Sequence, residues 1–139
     1  QHDLDASPIF PQYEVPLYGV DRFRTDGALT AELDAAVRRA LPGRHVHRGL
    51  VVSGDRFVSS VAASDELRQV LPDALAVEME GAAVAQVCAD FGRPFAVLRT
   101  ISDRADDSAH VDFTRFIDAV ASTYTRAIIE DWLQNDGDA

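Results

Sequence analysis

Apolar residues recur along this chain at spacings that change from element to element, and each change marks a boundary. From Thr25 to Leu41 they return at every fourth position, as Leu29, Leu33, Val37 and Leu41, which is the pattern of a helix with one buried stripe. Thr25 and Asp26 stand before it as capping candidates, and Pro42-Gly43 terminates it. The run Val46 to Ser53 predicts a strand, after which Ser53-Gly54-Asp55 turns the chain toward Arg56-Phe57-Val58. Ser64-Asp65-Glu66 predicts the opening of a short helix, its acids suited to the positive end of the helix dipole, and Pro72 closes it. Leu75-Ala76-Val77 is a short apolar run that stops on Glu78-Met79-Glu80. Ala83, Val84, Val87, Cys88 and Phe91 then fall at helical spacing, ahead of the stop signal Gly92 and Pro94. Phe95-Ala96-Val97-Leu98 continues through Arg99-Thr100-Ile101 and ends on Ser102-Asp103. The last segment, Asp112 to Leu133, puts Phe113, Phe116, Ile117, Val120, Tyr124, Ala127 and Ile128 on one helical stripe with Asp112 as cap, and a polar tail follows.

Strand, covering helix and strand in the order found at 75–103 form a βαβ unit, so the pattern predicts an α/β domain with three layers, a central mixed sheet lying between helices. In open α/β sheets, ligands sit at the carboxyl ends of the strands. Glu80 and Asp103 both fall there.

Composition narrows the class. With 139 residues, 47% of them hydrophobic and 26% charged, the chain suits one globular domain. Its 13 basic and 23 acidic side chains give a formal charge of −10, which disfavours a polynucleotide partner, since phosphate-backbone binding rests on clustered Lys and Arg. Cys88 is the one cysteine, so no internal disulfide is possible and packing is its expected role. No apolar run approaches the roughly 18 residues that suggest a membrane span, and a cytoplasmic protein is the expectation. The segment Pro8 to Tyr18 combines three prolines with large apolar groups; it cannot form a regular helix and is expected to pack on something.

Among motifs that carry chemistry, Asp3-Leu4-Asp5 lacks the hydrophobic strand that a phosphatase-like D-x-D nucleophile needs before it. Asp103, Asp106, Asp107 and His110 invite reading as a metal cluster, but no second His or Cys stands at ligand spacing, so no metal is expected. An aromatic face beside a strand end, as at Phe57, can stack on a purine; taken alone it fits core packing better.

Three motifs in order, V-S-G-D-R-F-V at 52–58, V-E-M-E-G-A-A at 77–83 and R-T-I-S-D at 99–103, resemble those of the methylthioadenosine/S-adenosylhomocysteine nucleosidases of the nucleoside phosphorylase superfamily. The resemblance covers nearly the whole chain. It implies a nucleoside phosphorylase-like fold, with residues 1–139 forming the C-terminal part of a single nucleosidase/phosphorylase domain. An earlier βα portion would carry a glycine-containing ribose loop and a Glu that activates water. It also implies hydrolysis of the N-glycosidic bond of those two nucleosides, a methionine-salvage reaction, with no cofactor. Phe57 would stack on adenine and the main chain of Val58 bind its edge. Met79 would lie against the sugar and Phe113 close over the nucleoside, while Arg99 pairs with a carboxylate such as Glu78. Cleavage needs a proton for the departing base and stabilisation of a cationic ribosyl group, and two acids can divide that work. Asp103, next to Ser102, is the candidate donor to N7 of the purine; Glu80 is the candidate contact for the ribose hydroxyls. Ile9, Phe10 and Pro16 would help wall the partner's pocket in a homodimer. The alternatives are a purine nucleoside phosphorylase, a hydrolase for another purine nucleoside of futalosine or AMP type, and a catalytically silent fragment.

Overall fold

Asp26 sets the start of the first helix: it is in an extended conformation and its carboxylate accepts a hydrogen bond from the Leu29 N–H at 2.9 Å, capping α1 over Gly27–Ala40. Arg38 and Arg39 stand in its last turn, where positive charge suits the helix dipole. This is the computed structural model of the protein, and it describes residues 1–103, 105, 106, 116 and 122–135.

Helix α1 buries Ala36 and Val37 against Ile128, with Leu41, Val46 and Trp132 packed around them. Thus the stripe expected from its spacing is the buried one at its C-terminal half. Arg39 pairs with Asp131 at 2.7 Å and the Trp132 indole N–H donates to Glu32 at 3.3 Å. Both contacts bind α1 to the last helix.

Strand β1, Leu50–Ser53, pairs in parallel with β2, Ala74–Glu78, in the register Val51 to Ala76, Val52 to Val77 and Ser53 to Glu78. Helix α2, Val61–Val70, makes the crossover between them, and Ser60 caps it through its hydroxyl. On the other edge of β1, residues 1–3 run alongside: the Ser53 N–H donates to the Gln1 carbonyl at 2.7 Å and the Asp3 N–H to the Ser53 carbonyl at 2.9 Å. After β2 comes α3, Gly81–Asp90, which packs Ala82 and Ala85 toward β1. The final helix, α4, spans Ser122–Asn135.

Several expectations need correction. The βαβ unit formed is β1-α2-β2 rather than one running from β2 to the segment at 95–101. That segment forms no ladder among the described residues. A strand needs a neighbour's row of N–H and C=O groups, whereas residues 95–101 meet the described chain through the Asp26 N–H, which donates to the Phe95 carbonyl, and through the Arg99 side chain. The regular sheet is parallel, and among the described residues antiparallel pairing appears only as an isolated bridge between Val15 and Val20. Helix α2 starts at Val61, not at Ser64, because Ser60 supplies the cap; Asp65 and Glu66 therefore sit within it. In α3 the buried face is Ala82 and Ala85, small enough for close approach to the sheet, while Val84, Val87 and Phe91 are exposed and Cys88 is half-buried. The predicted helix from Asp112 is seen as α4 and at Phe116, its remaining residues lying outside those described.

Candidate active site

The strand ends Ser53 and Glu78 are register partners, and what they carry organises the site. The Glu78 side chain is almost wholly buried, at 3% exposure. Its carboxylate accepts a hydrogen bond from the Ser53 hydroxyl, from the Glu80 N–H at 3.0 Å, and from the Gly81 N–H at 2.9 Å. Arg99 approaches it at 3.7 Å. Burial by itself raises the Glu78 pKa; the hydrogen bonds from Ser53, Glu80 and Gly81 and the charge of Arg99 outweigh it and hold the acid below its ordinary range. Glu78 is therefore a buried, ionised acceptor rather than a proton donor.

Glu80 differs at every point. It stands at the N-cap of α3, its side chain makes no capping hydrogen bond, and it is 65% exposed, pairing with Arg99 at 3.3 Å. Asp103 is half-buried on the segment beyond 95–101; its carboxylate accepts from the Ser102 hydroxyl at 2.7 Å and from the Ala105 N–H at 2.8 Å. Arg99 thus links that segment to the end of β2.

These groups border one cavity of about 760 Å³. Phe57, Val58, Met79 and Ile101 give it an apolar and aromatic side, and Glu80, Arg99, Ser102 and Asp103 give it a charged rim. Val58 is buried, whereas Phe57 and Met79 keep open faces at 42% and 43% exposure. The volume lies in the range of small-molecule pockets. Such a lining offers a ligand both apolar and hydrogen-bonding contacts.

Of the residues singled out from sequence, the cavity gathers Phe57, Val58, Glu78, Met79, Glu80, Arg99, Ser102 and Asp103. Ile9, Phe10 and Pro16 do not line it; Ile9 is 83% exposed on the loop before Val15, which is itself buried. Phe113 lies outside the described residues. Two groups escaped the sequence reading. Ser53 holds Glu78 and also accepts from the Ala82 N–H at 2.8 Å, a role foreshadowed only by a small polar residue ending an apolar strand. The Ala105 N–H, in a residue with φ of 54°, carries no sequence signal.

A parallel β-α-β core with Glu78 and Glu80 at the carboxyl end of β2, beside a cavity, is an α/β arrangement with a candidate small-molecule site. The chain belongs to the phosphorylase superfamily, whose family model matches residues 1–133, and its fold is the nucleoside phosphorylase-like one. Among similar solved structures is the 5′-methylthioadenosine/S-adenosylhomocysteine nucleosidase of Neisseria meningitidis in complex with methylthio-immucillin-A, at 36% identity and a TM-score of 0.85, over 95% of this chain and 56% of that one. The S-adenosylhomocysteine nucleosidase of Streptococcus pyogenes in complex with 5-methylthiotubericidin matches at 31% identity and a TM-score of 0.82, over 96% and 56%. Futalosine hydrolase of Helicobacter pylori matches at 33% identity and a TM-score of 0.78, over 94% and 56%. The chain thus spans little more than half the length of these relatives. Among the described residues no helix is long and apolar enough to cross a membrane.

Proposed function

We propose that the protein hydrolyses the N-glycosidic bond of 5′-methylthioadenosine and S-adenosylhomocysteine, releasing adenine. The observation that carries this reading is the single cavity that unites Phe57, Val58, Met79, Glu80, Arg99, Ser102 and Asp103, drawn from three separate stretches of sequence. The relatives of known structure that bear nucleoside analogues support it. Phe57 stacks on the adenine and the Val58 main chain pairs with its edge. Asp103, oriented by Ser102, gives its proton to N7 as the bond from N9 to C1′ breaks, so that the base departs neutral. Glu80 accepts hydrogen bonds from the ribose hydroxyls, and its negative charge favours the cationic sugar formed in the transition state. Met79 lies against the sugar; the resemblance assigns closure over the nucleoside to Phe113, which lies outside the described residues. Water adds to C1′; the resemblance assigns its activation to a Glu outside these 139 residues. The reaction so written requires no cofactor. The protein is a cytoplasmic homodimer in this reading, with Ile9, Phe10 and Pro16 walling the partner's 5′-substituent pocket.

Futalosine hydrolysis is the second reading, favoured by the 33% identity to that enzyme. Base release from methylthioadenosine and S-adenosylhomocysteine (adenine) and from futalosine (hypoxanthine), each with and without phosphate, tests both. Release from the first two without phosphate is expected. Strict phosphate dependence makes the protein a phosphorylase, and release from futalosine alone selects the second reading.

A further inference from the structure

A carboxylate at a helix N-cap can turn inward to accept from the amides of the first turn, as Asp commonly does. Glu80 does not. It occupies the N-cap of α3 and makes no capping bond, yet the consecutive amides of Glu80, Gly81 and Ala82 all have acceptors. Glu78 takes the first two and the Ser53 hydroxyl takes the third at 2.8 Å, while the same hydroxyl donates to Glu78. Ser53 and Glu78 are buried, at 4% and 7% exposure, whereas Glu80 projects its carboxylate to Arg99 at the cavity rim. Gly81 fits this arrangement: a Cβ there would stand 3.0 Å from the Glu78 carboxylate.

We propose that Ser53 and Glu78 act as a substitute cap for α3, and that their function is to free the Glu80 carboxylate for the ligand. Ser53 is then a positioning residue that acts through Glu80 without touching substrate. The inference rests on the nucleosidase reading for what Glu80 binds, but not for the capping itself. When Ser53 loses its hydroxyl, the Ala82 N–H loses its acceptor, and the Glu80 carboxylate, which stands at the N-cap of the same helix and makes no capping bond, is drawn in to replace it. Swinging inward, Glu80 leaves the rim and the site loses its contact to the sugar hydroxyls.

The test compares Ser53→Ala, Ser53→Thr and Glu78→Gln in the protein as encoded. The first readout is the ratio of kcat/KM for methylthioadenosine to that for its 2′-deoxy counterpart. Ser53→Ala is expected to reduce this ratio by about 10- to 100-fold, the worth of a hydrogen bond to a charged group, and Ser53→Thr to restore it. Glu78→Gln is expected to behave as Ser53→Ala, because an amide cannot accept from both backbone donors on its two ends. The second readout is hydrogen exchange at the Glu80, Gly81 and Ala82 amides, expected to quicken at least about tenfold in Ser53→Ala, because the exposed Glu80 carboxylate is a weaker cap than the buried hydroxyl, while the α1 amides keep their rates. Equal losses on both substrates, with the ratio unchanged, overturn the proposal, as does unchanged exchange. A parent protein that cleaves no nucleoside refutes the nucleosidase reading instead, and exchange at the three amides then decides the capping.

Discussion

Three carboxylates lie within one site, and their surroundings assign them different work. If Asp103 supplies the proton for the departing adenine, Asp103→Asn is expected to lower kcat by about 10² to 10⁴ and leave binding largely intact. Glu80→Gln is expected to raise KM as well as lower kcat, since in the proposed mechanism the carboxylate meets the sugar before the transition state and more strongly within it. Steady-state kinetics of the two variants separates the roles; near-parental turnover by Asp103→Asn removes Asp103 as the acid. Glu78 carries a pH prediction. Its pKa is lowered in the folded protein, so the stability it contributes is present above its ordinary value of 4.5 and is lost as pH falls through the folded value. Glu78→Gln is therefore expected to flatten the decline of melting temperature on the acid side of pH 4.5. The paired acids Asp34 and Asp73 are also lowered by Arg38 and Arg22, but they lie at the surface, where solvent screens their effect. A decline as steep in the variant as in the parent contradicts the assignment. The E-M-E and I-S-D motifs made these acids visible in the sequence. Which glutamate is buried was not visible, because it depends on Ser53, twenty-five positions earlier in the chain, meeting Glu78 across the sheet.

At the scale of the element, local signals were read well where the chain satisfies itself locally. Helix α1 announces its cap, its stripe and its stop, and all three are found. Asp26→Ala is expected to cost about 1 kcal/mol, seen as a lower denaturation midpoint with an unchanged slope in urea; an unchanged midpoint means that the Leu29 amide finds water instead. Where an element depends on a distant partner, periodicity misled. The run at 95–101 has strand composition, yet its ladder must come from another segment, and the described residues supply none. In α3 the large apolar residues look like the core face, but the face turned to the sheet is that of Ala82 and Ala85, and Val84 and Val87 point away from it. Gly54 marks a close approach beside β1, where an added Cβ would overlap the Asp3 carboxylate. Sequence spacing tells which side of a helix is apolar, not which apolar side is turned to the neighbour.

For the whole molecule, the apolar surface left open bears on assembly. Leu17 is 92% exposed, Ile9 83% and Phe91 75%, with Val84 and Val87 each at 56%. The Tyr18 hydroxyl donates to Asp90, which draws the Tyr18 end of the Pro8 to Tyr18 loop onto the C-terminal end of α3, next to Phe91. Large exposed apolar patches of this kind mark interfaces, and the proposed homodimer would cover them. Charge opposes it: each copy carries a formal −10, so two copies repel. An association driven by apolar contact against that repulsion is expected to tighten as salt screens the charges, within a Debye length of about 8 Å at physiological ionic strength. Sedimentation across a salt series checks this, with the dimer fraction rising with salt. Leu17→Asp adds a charge to the exposed loop and is expected to shift the protein toward monomer at every salt concentration, and to raise KM for substrates with long 5′-substituents more than for adenosine itself. A parent protein that sediments as a monomer and keeps full activity at nanomolar concentration eliminates the dimer, and with it the role of Ile9, Phe10 and Pro16 in a partner's pocket.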